Sequence, residues 1–213
     1  MKDIPVFASE FGAASLILRE VPYKKIAYVR IQASEQPHEL IGECVSFCRA
    51  CGAEQICAAG HPALEHYPFH TAVVRMRCRR EELPETDAAL WPVLPENVAE
   101  FRELYNRRMA QVPNASWMTI ADGETLVSSG EGYFVHRGGE LLGIGRAAGE
   151  EVKIIISACP GAGRDVVLAM NHVLQGDSAI LEVATANTRA VRLYEKLGFL
   201  PTEELSRWYR VYP

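Results

Sequence analysis

The sequence has no apolar run that approaches the roughly 20 residues a membrane-spanning helix needs. Its first residues also lack the apolar core of a secretory signal peptide. We therefore expect a cytoplasmic protein with no membrane partner. In that compartment its six cysteines are expected to be reduced thiols rather than disulfides.

An excess of basic residues is also missing. Lys and Arg number 22 against 27 Asp and Glu, which gives a net charge of −5. Proteins that bind nucleic acid carry a basic surface, because most of their affinity comes from phosphate contacts. We therefore predict that nucleic acid is not a partner.

Histidine is scarce, and the pattern of the few that occur does not indicate a metal centre. The chain has six histidines, and His61, His66 and His70 fall in one segment that also contains prolines. A zinc site needs convergent ligands and outer groups that orient them. This spacing gives no sign of either, so we predict no metal site.

The chain has the composition of an ordinary globular protein. It contains 213 residues, of which 48% are hydrophobic and 23% are charged, enough for a sizeable core in one large domain or two small ones. Strands and helices alternate along it, which predicts an α/β or α+β fold around a mixed central sheet with flanking helices.

The predicted elements fall into two groups, 1–80 and 87–213, separated by a polar segment with a proline. The first is a smaller β-β-α-β-β unit, with strands at 15–19, 26–31, 56–59 and 71–76, a hairpin connection at 21–25 and a helix at 39–51. The second has helices at 97–110, 163–174 and 188–197, and strands at 132–136, 141–145, 152–157, 179–184 and 208–212.

The clearest chemical feature of the second group is a glycine loop between a strand and a helix. Strand 152–157 is followed by Pro160, Gly161, Ala162 and Gly163, and then by the helix. Glycines let a ligand approach the backbone closely, and a helix N-terminus offers free N–H donors to a pyrophosphate. Arg164, in the first turn, adds a positive charge.

A more specific pattern lies in residues 187–199, NTRAVRLYEKLGF, directly after a strand. It places Asn187, Ala190, Tyr194, Gly198 and Phe199 in fixed order on one capped helix and its end. With the preceding glycine loop, this segment resembles the GNAT superfamily of N-acetyltransferases. The resemblance covers about residues 90–213, and residues 1–80 look like a degenerate half of the same fold.

The resemblance implies an acetyl-CoA-dependent transferase that moves an acetyl or other small acyl group to a primary amine by direct attack. It implies that Tyr194 protonates the leaving thiolate and that Glu182, on strand 179–184, is a candidate base. Acetyl-CoA is the implied cosubstrate. Its implied contacts are Ile154, Ile155 and Ile156, which hold the pantetheine arm, and Gly161, Ala162, Gly163, Arg164, Asn187, Arg192 and Lys196.

One position departs from the family pattern, because Ala158 lies where an Arg or Gln is usual and the loop is short. The alternative is therefore a non-catalytic module that binds CoA or regulates and has kept the GNAT fold. The acceptor amine, on a small molecule or a peptide, is not identified by these residues. We expect residues 1–80 to shape the acceptor pocket or the face of a possible homodimer.

Overall fold

The computed structural model describes residues 1–212, which divide into two compact units. Unit 1 consists of Met1–Val73 and the chain from Leu205 onward, and unit 2 is Val74–Glu204. The predicted domains 1–80 and 87–213 stay a prediction, and the last residue of the second, Pro213, lies outside the described residues. Within residues 1–212 no helix has both the length and the apolar character needed to cross a bilayer.

Two strands contribute residues to both units. They are β5 (Phe69–Arg79) and β11 (Leu200–Tyr212). The chain turns from unit 1 to unit 2 within β5 and returns to unit 1 within β11. Strand β11 was predicted only over its last five residues, because its first half is mostly exposed and polar.

Unit 1 has a sheet in the order β1-β2-β3-β4-β11-β5, in which β3 and β4 are parallel. Its elements are β1 (Ile4–Ser9), β2 (Gly12–Ile17), α1 (Val21–Lys24), β3 (Ile26–Ala33), α2 (Pro37–Ala50), β4 (Gln55–Ala59) and a 3-10 helix (Pro62–His66). Strand β1 was not predicted, and the predicted hairpin connection at 21–25 contains the short helix α1 instead. Helix α2 agrees with the predicted helix, and Cys44 and Cys48 on its apolar stripe lie fully in the core.

Unit 2 has a sheet in the order β11-β5-β10-β9-β8-β7-β6. Its elements are a 3-10 helix (Arg80–Glu82), β6 (Ala89–Pro92), α3 (Val98–Met109), α4 (Ile120–Ser129), β7 (Gly132–Arg137), β8 (Glu140–Ala148), β9 (Glu151–Ser157), α5 (Gly163–Asn171), β10 (Ser178–Ala184) and α6 (Thr188–Lys196). Helix α4 was not predicted, although a capping box between Thr119 and Asp122 marks its start and Gly130 its end.

The sheet of unit 2 is covered by helices on both faces. Ile156 of β9 packs with Phe101 of α3 in one cluster, whereas Ile155 packs against a second cluster that contains Val166 of α5 and Phe199. Successive strand residues point to opposite faces, so β9 contributes to both layers. The fold is therefore the predicted mixed sheet with flanking helices, and β9 lies at its centre.

Candidate functional site

Strand β9 is paired along its whole length on one side only. It pairs with β8 from Ala148↔Glu151 to Gly143↔Ser157, but it pairs with β10 only at Ile180↔Glu151 and Leu181↔Val152. Among residues 1–212, its later residues therefore have no strand partner on the β10 side. The sheet opens there, and one edge of β9 is available to an extended ligand.

The hydrogen bond that follows β9 identifies the backbone groups on the open edge. The N–H of Ala158 donates to the carbonyl oxygen of Leu142 at 2.8 Å, so this N–H points toward β8. Orientation alternates along an antiparallel strand. The N–H and C=O groups of Ile155 and Ser157 therefore point away from β8, toward the open edge.

The glycines of the loop after β9 serve two different needs. Gly161 has a φ of +88°, and a Cβ there would meet no atom within 4 Å, so the backbone conformation is what requires glycine. A Cβ on Gly163 would lie 3.1 Å from Cδ2 of Leu193 on α6. Glycine at position 163 therefore lets α5 and α6 approach each other closely.

Helix α5 begins without a side-chain cap. Its N-cap residue, Ala162, has no side-chain group that could accept from the N–H donors of the first turn. The other end is fixed, because Arg80 donates to the carbonyl oxygens of Asn171 and Gly176, each at 2.7 Å. The free N–H groups and the positive end of the helix dipole suit an anion.

An acidic residue in the first turn of α5 is already neutralised. Asp165 accepts two hydrogen bonds from Arg137, at 2.8 and 3.4 Å. A carboxylate at a helix N-terminus would otherwise compete with a bound anion for the same positive field. The ion pair thus preserves the preference of this helix end for an external anion.

Helix α6 contributes the predicted asparagine and tyrosine. The side chain of Asn187 accepts from the N–H of Ala190 at 3.3 Å and so caps the helix. Tyr194 is 6% exposed, and its ring centroid lies 5.9 Å from that of Phe199. Burial raises the pKa of Tyr194, which keeps the phenol protonated at neutral and moderately alkaline pH.

The end of helix α3 reaches the same place from a distant part of the sequence. The Nη2 group of Arg108 donates a hydrogen bond to the carbonyl oxygen of Ala158, the first residue after β9. Met109 and Val112 follow it at the same cleft. Asn106 stabilises the segment beyond α3, because its side chain bonds both the N–H and the C=O of Met118.

These elements surround one cleft of about 440 Å³. It is lined by Arg108, Met109, Val112, Ile155, Ile156, Ser157, Gly161, Gly163, Arg164, Asn187, Arg189, Ala190, Leu193 and Tyr194. Three of these residues are arginines, and no aspartate, glutamate or histidine among residues 1–212 lines the cleft. The cleft is therefore cationic in a protein whose net charge is −5, and it favours an anionic ligand.

Most of the predicted site residues lie together in this cleft. Those that line it are Ile155, Ile156, Gly161, Gly163, Arg164, Asn187 and Tyr194. Ile154 and Ala162 are neighbours of lining residues but do not line the cleft themselves. Ile154 packs on the α3 side of the sheet, and Ala162 is buried at the N-cap of α5.

Two predicted phosphate contacts and the predicted base lie elsewhere. Arg192 and Lys196 are four residues apart on α6 and share a face that does not line the cleft. Glu182 is also absent from the lining, and its Oε1 atom pairs with Nη2 of Arg75 at 3.1 Å. The roles of these three residues stay predictions, without support from the geometry of the cleft.

Two arginines that line the cleft were not predicted. Arg189 lies on the face of α6 that also carries Leu193, four residues later, so helical phase alone could have placed it beside Ala190 and Tyr194. Arg108 had no such signal, because it is 50 residues away from Ala158 in sequence.

No cluster for a metal ion is found in the described part of the chain. Among residues 1–212, no three His, Cys, Asp or Glu side chains lie close enough to hold one.

No family model and no curated protein matches the sequence. The structure, in contrast, is similar to many solved ones. A conserved protein of unknown function from Staphylococcus epidermidis aligns with a TM-score of 0.58 at 10% identity, over 96% of this chain and 91% of that one. A GCN5-related N-acetyltransferase from Anabaena variabilis aligns with a TM-score of 0.57 at 12% identity, over 93% of this chain and 58% of that one.

A tandem GNAT protein from the clavulanic acid biosynthesis pathway is also similar. It has a TM-score of 0.52 at 15% identity, over 98% of this chain and 82% of that one. At these identities the similarity is one of fold. The chain therefore has the fold of the GNAT acetyltransferases, as the resemblance in residues 187–199 predicted, with two GNAT-like halves.

Proposed function

We propose that the cleft binds an acyl-CoA and that the protein transfers the acyl group to a primary amine by direct attack. The observation that carries this proposal is that one cleft contains the open edge of β9, the uncapped N-terminus of α5 and Tyr194. An extended arm fits the strand edge, a pyrophosphate fits the helix end, and a buried phenol can supply a proton. Acyl-CoA itself supplies the acyl thioester.

The backbone of β9 has two roles in the proposed reaction. The N–H groups of Ile155 and Ser157 point toward the open edge and can bond the pantetheine arm as a neighbouring strand would. One of them can also donate to the thioester carbonyl oxygen, which gains negative charge as the C–N bond forms and the C–S bond breaks. Such fixed donors commonly give the largest electrostatic contribution to catalysis.

Tyr194 is the proposed proton donor. Among residues 1–212, no group forms a hydrogen bond with its hydroxyl, so the O–H is available to the departing sulfur. The sulfur takes the phenol proton as the C–S bond breaks, and the proton that the amine loses restores the phenol. Burial raises the pKa of Tyr194, so the phenol is in its protonated form at neutral pH.

The lining residues favour direct attack by the amine over a covalent intermediate. Among residues 1–212, Ser157 is the one lining hydroxyl besides Tyr194, and no lining histidine or carboxylate is available to activate it. For the same reason, the acceptor amine has to arrive in its neutral form. Glu182 is not included in the proposal, because it is paired with Arg75 and lies outside the cleft.

A second candidate is a module that binds CoA without turnover. Two observations favour it: burial raises the pKa of Tyr194 and so weakens it as an acid, and no carboxylate or histidine among residues 1–212 lines the cleft. Both candidates predict binding of acetyl-CoA, and they differ in whether a thiol is released when an amine is present.

Calorimetric titration with acetyl-CoA tests both candidates, with desulfo-CoA as a ligand that cannot react. Binding of both ligands, followed by release of free CoA thiol with members of an amine library, supports the transferase. Binding without thiol release from any amine supports the module. Absence of binding at millimolar acetyl-CoA rejects both.

A further inference from the structure

Arg108 is placed in the cleft by an unusual combination of contacts. It lies in the last turn of α3, and its Nη2 group bonds the carbonyl oxygen of Ala158. Ala158 is the first residue of the loop between β9 and α5 and has no side-chain donor of its own. The hydrogen bond therefore brings a guanidinium to a loop position that otherwise has no cation.

The guanidinium of Arg108 keeps spare hydrogen-bonding capacity. A guanidinium has five N–H donors in a fixed planar arrangement, and the bond to Ala158 uses one of them. The residue is exposed to the cleft, and within residues 1–212 it has no ion pair with a carboxylate. Since the contact with Ala158 fixes the orientation of the group, less rotamer freedom is lost when an anion binds.

Two further arginines approach the cleft from other helices. Arg164 is in the first turn of α5, and Arg189 is in the first turn of α6. Arg164 also lies near a carboxylate, with its Nη1 atom 4.0 Å from Oδ1 of Asp165, but the three guanidinium groups together make the cleft favourable for an anion. A ligand with two adjacent phosphates matches this arrangement, because guanidinium groups bind phosphate through paired N–H···O bonds.

We propose that Arg108 is a ligand-binding residue that holds the pyrophosphate of the ligand from the α3 side of the cleft, opposite the N-terminus of α5. The inference rests on the proposed binding of acyl-CoA and adds a contact that comes from outside the glycine loop. It also connects the loop to α3, so ligand binding stabilises the last turn of α3 and the segment that Asn106 ties to it at Met118.

The neighbouring residue provides a matched control. Arg107 is also exposed and also in the last turn of α3, but it lines a separate cavity with Arg102 and Trp117. The variants Arg108→Ala and Arg107→Ala remove the same charge from adjacent positions of one helix. Neither side chain is buried, so both variants are expected to fold, which circular dichroism checks.

The affinities of the wild-type protein and of both variants for acetyl-CoA and for inorganic pyrophosphate are measured by calorimetry. We expect Arg108→Ala to weaken both ligands about tenfold or more, since a hydrogen bond to a charged group is among the strong ones. Arg107→Ala should leave both affinities close to those of the wild type. In the wild type, pyrophosphate should also slow amide hydrogen exchange in the last turn of α3, and Arg108→Ala should remove that effect.

Equal affinities for the two variants would overturn the role of Arg108 and leave the acyl-CoA proposal standing. Binding of pyrophosphate but not of acetyl-CoA, with loss in Arg108→Ala, would support the anion contact and overturn the acyl-CoA proposal. A wild-type protein that binds neither ligand would overturn both.

Discussion

Each unit contains a pair of parallel strands joined by a helix, and the two units differ in how far that pair of strands is hydrogen-bonded. In unit 1, β3 leads through α2 to β4, and in unit 2, β9 leads through α5 to β10. Strands β3 and β4 pair from Ile26↔Gln55 to Arg30↔Ala59, whereas β9 and β10 pair at two positions. Strands β3 and β4 therefore form a continuous sheet, whereas β9 separates from β10 and its free edge forms one wall of the cleft.

The segments around these strand pairs differ in a consistent way. Helix α2 follows β3 after residues 34–36, which contain no glycine, and Pro37 is at its start. Helix α5 follows a loop that needs Gly161 for its conformation. The connection after β4, residues 60–68, contains a short 3-10 helix. The connection after β10, residues 185–199, is six residues longer and contains α6, the helix that carries Tyr194. The strand–helix–strand arrangement is thus common to both units, and the cleft described above lies in unit 2, where β9 and β10 separate.

The largest predicted effect is a loss of stability on substitution of a glycine where β8 packs against β9. A Cβ on Gly143 would lie 2.1 Å from the carbonyl oxygen of Ile156 and 2.6 Å from Cγ2 of Val166, and neither contact can be relieved without moving backbone or core. We expect Gly143→Ala to lower the free energy of unfolding by about 3 kcal/mol. Chemical denaturation of the variant measures this.

A glycine in unit 1 provides the control for that prediction. Gly42 is within helix α2, and a Cβ there would meet no atom within 4 Å. Gly42→Ala should raise the free energy of unfolding by roughly 0.5–1 kcal/mol, because glycine is a poor helix former. If both variants changed the free energy of unfolding alike, the close packing of β8 on β9 would not be the cause of the loss in Gly143→Ala.

The next largest effect is on turnover. Tyr194→Phe removes the proposed proton donor while keeping the ring that packs on Phe199. We expect kcat to fall about 100-fold, the lower end of the range for general acid catalysis, with little change in stability. Thiol release measured at saturating acetyl-CoA and amine gives kcat.

Tyr209→Phe in unit 1 is the matched control, because Tyr209 is similarly buried, at 7% exposure. It should leave kcat unchanged. A Tyr194→Phe variant that retains the kcat of the wild type would remove Tyr194 from the chemistry.

A smaller effect is expected from the glycine loop. Gly161→Val forces a β-branched residue into a φ of +88°, which costs roughly 1–2 kcal/mol or moves the loop. We expect the affinity for acetyl-CoA to fall about tenfold. Gly52→Val imposes the same strain in unit 1, where φ is +93°, and should lower stability without changing that affinity. Equal affinities for the two variants would argue against a role of the loop in binding.

The smallest effect concerns pH. Burial raises the pKa of Tyr194, so its proton is retained above the usual range of a phenol. We expect kcat/KM to rise with pH as the acceptor amine loses its proton, and not to decline up to about pH 10. A decline that begins near pH 8 in the wild type would show that another group donates the proton.

Several helices and strands could be predicted from the sequence because the residues that specify them are close together in the chain. The helix after Asn187 has a cap, an apolar face and a terminal glycine within 12 residues, and α6 follows them. Strand β9 was visible as a short apolar run between polar ends. Helix α4 was not predicted, because Gly123 and three serine or threonine residues lower its helix propensity. Packing stabilises it, since the absence of a side chain at Gly123 lets it lie close to Arg102 and Val98 of α3.

The sequence by itself determined the local parts of this protein: the glycine loop, the capped helix with Tyr194 and the strands that precede them. These depend on the spacing of neighbouring residues and on the backbone preferences of glycine and asparagine. Only the tertiary structure decided that β9 and β10 separate after two residue pairs and that Arg108 bonds Ala158. Both depend on the packing of helices that are far apart in the chain, and no local pattern encodes which distant side chain arrives at a given backbone carbonyl.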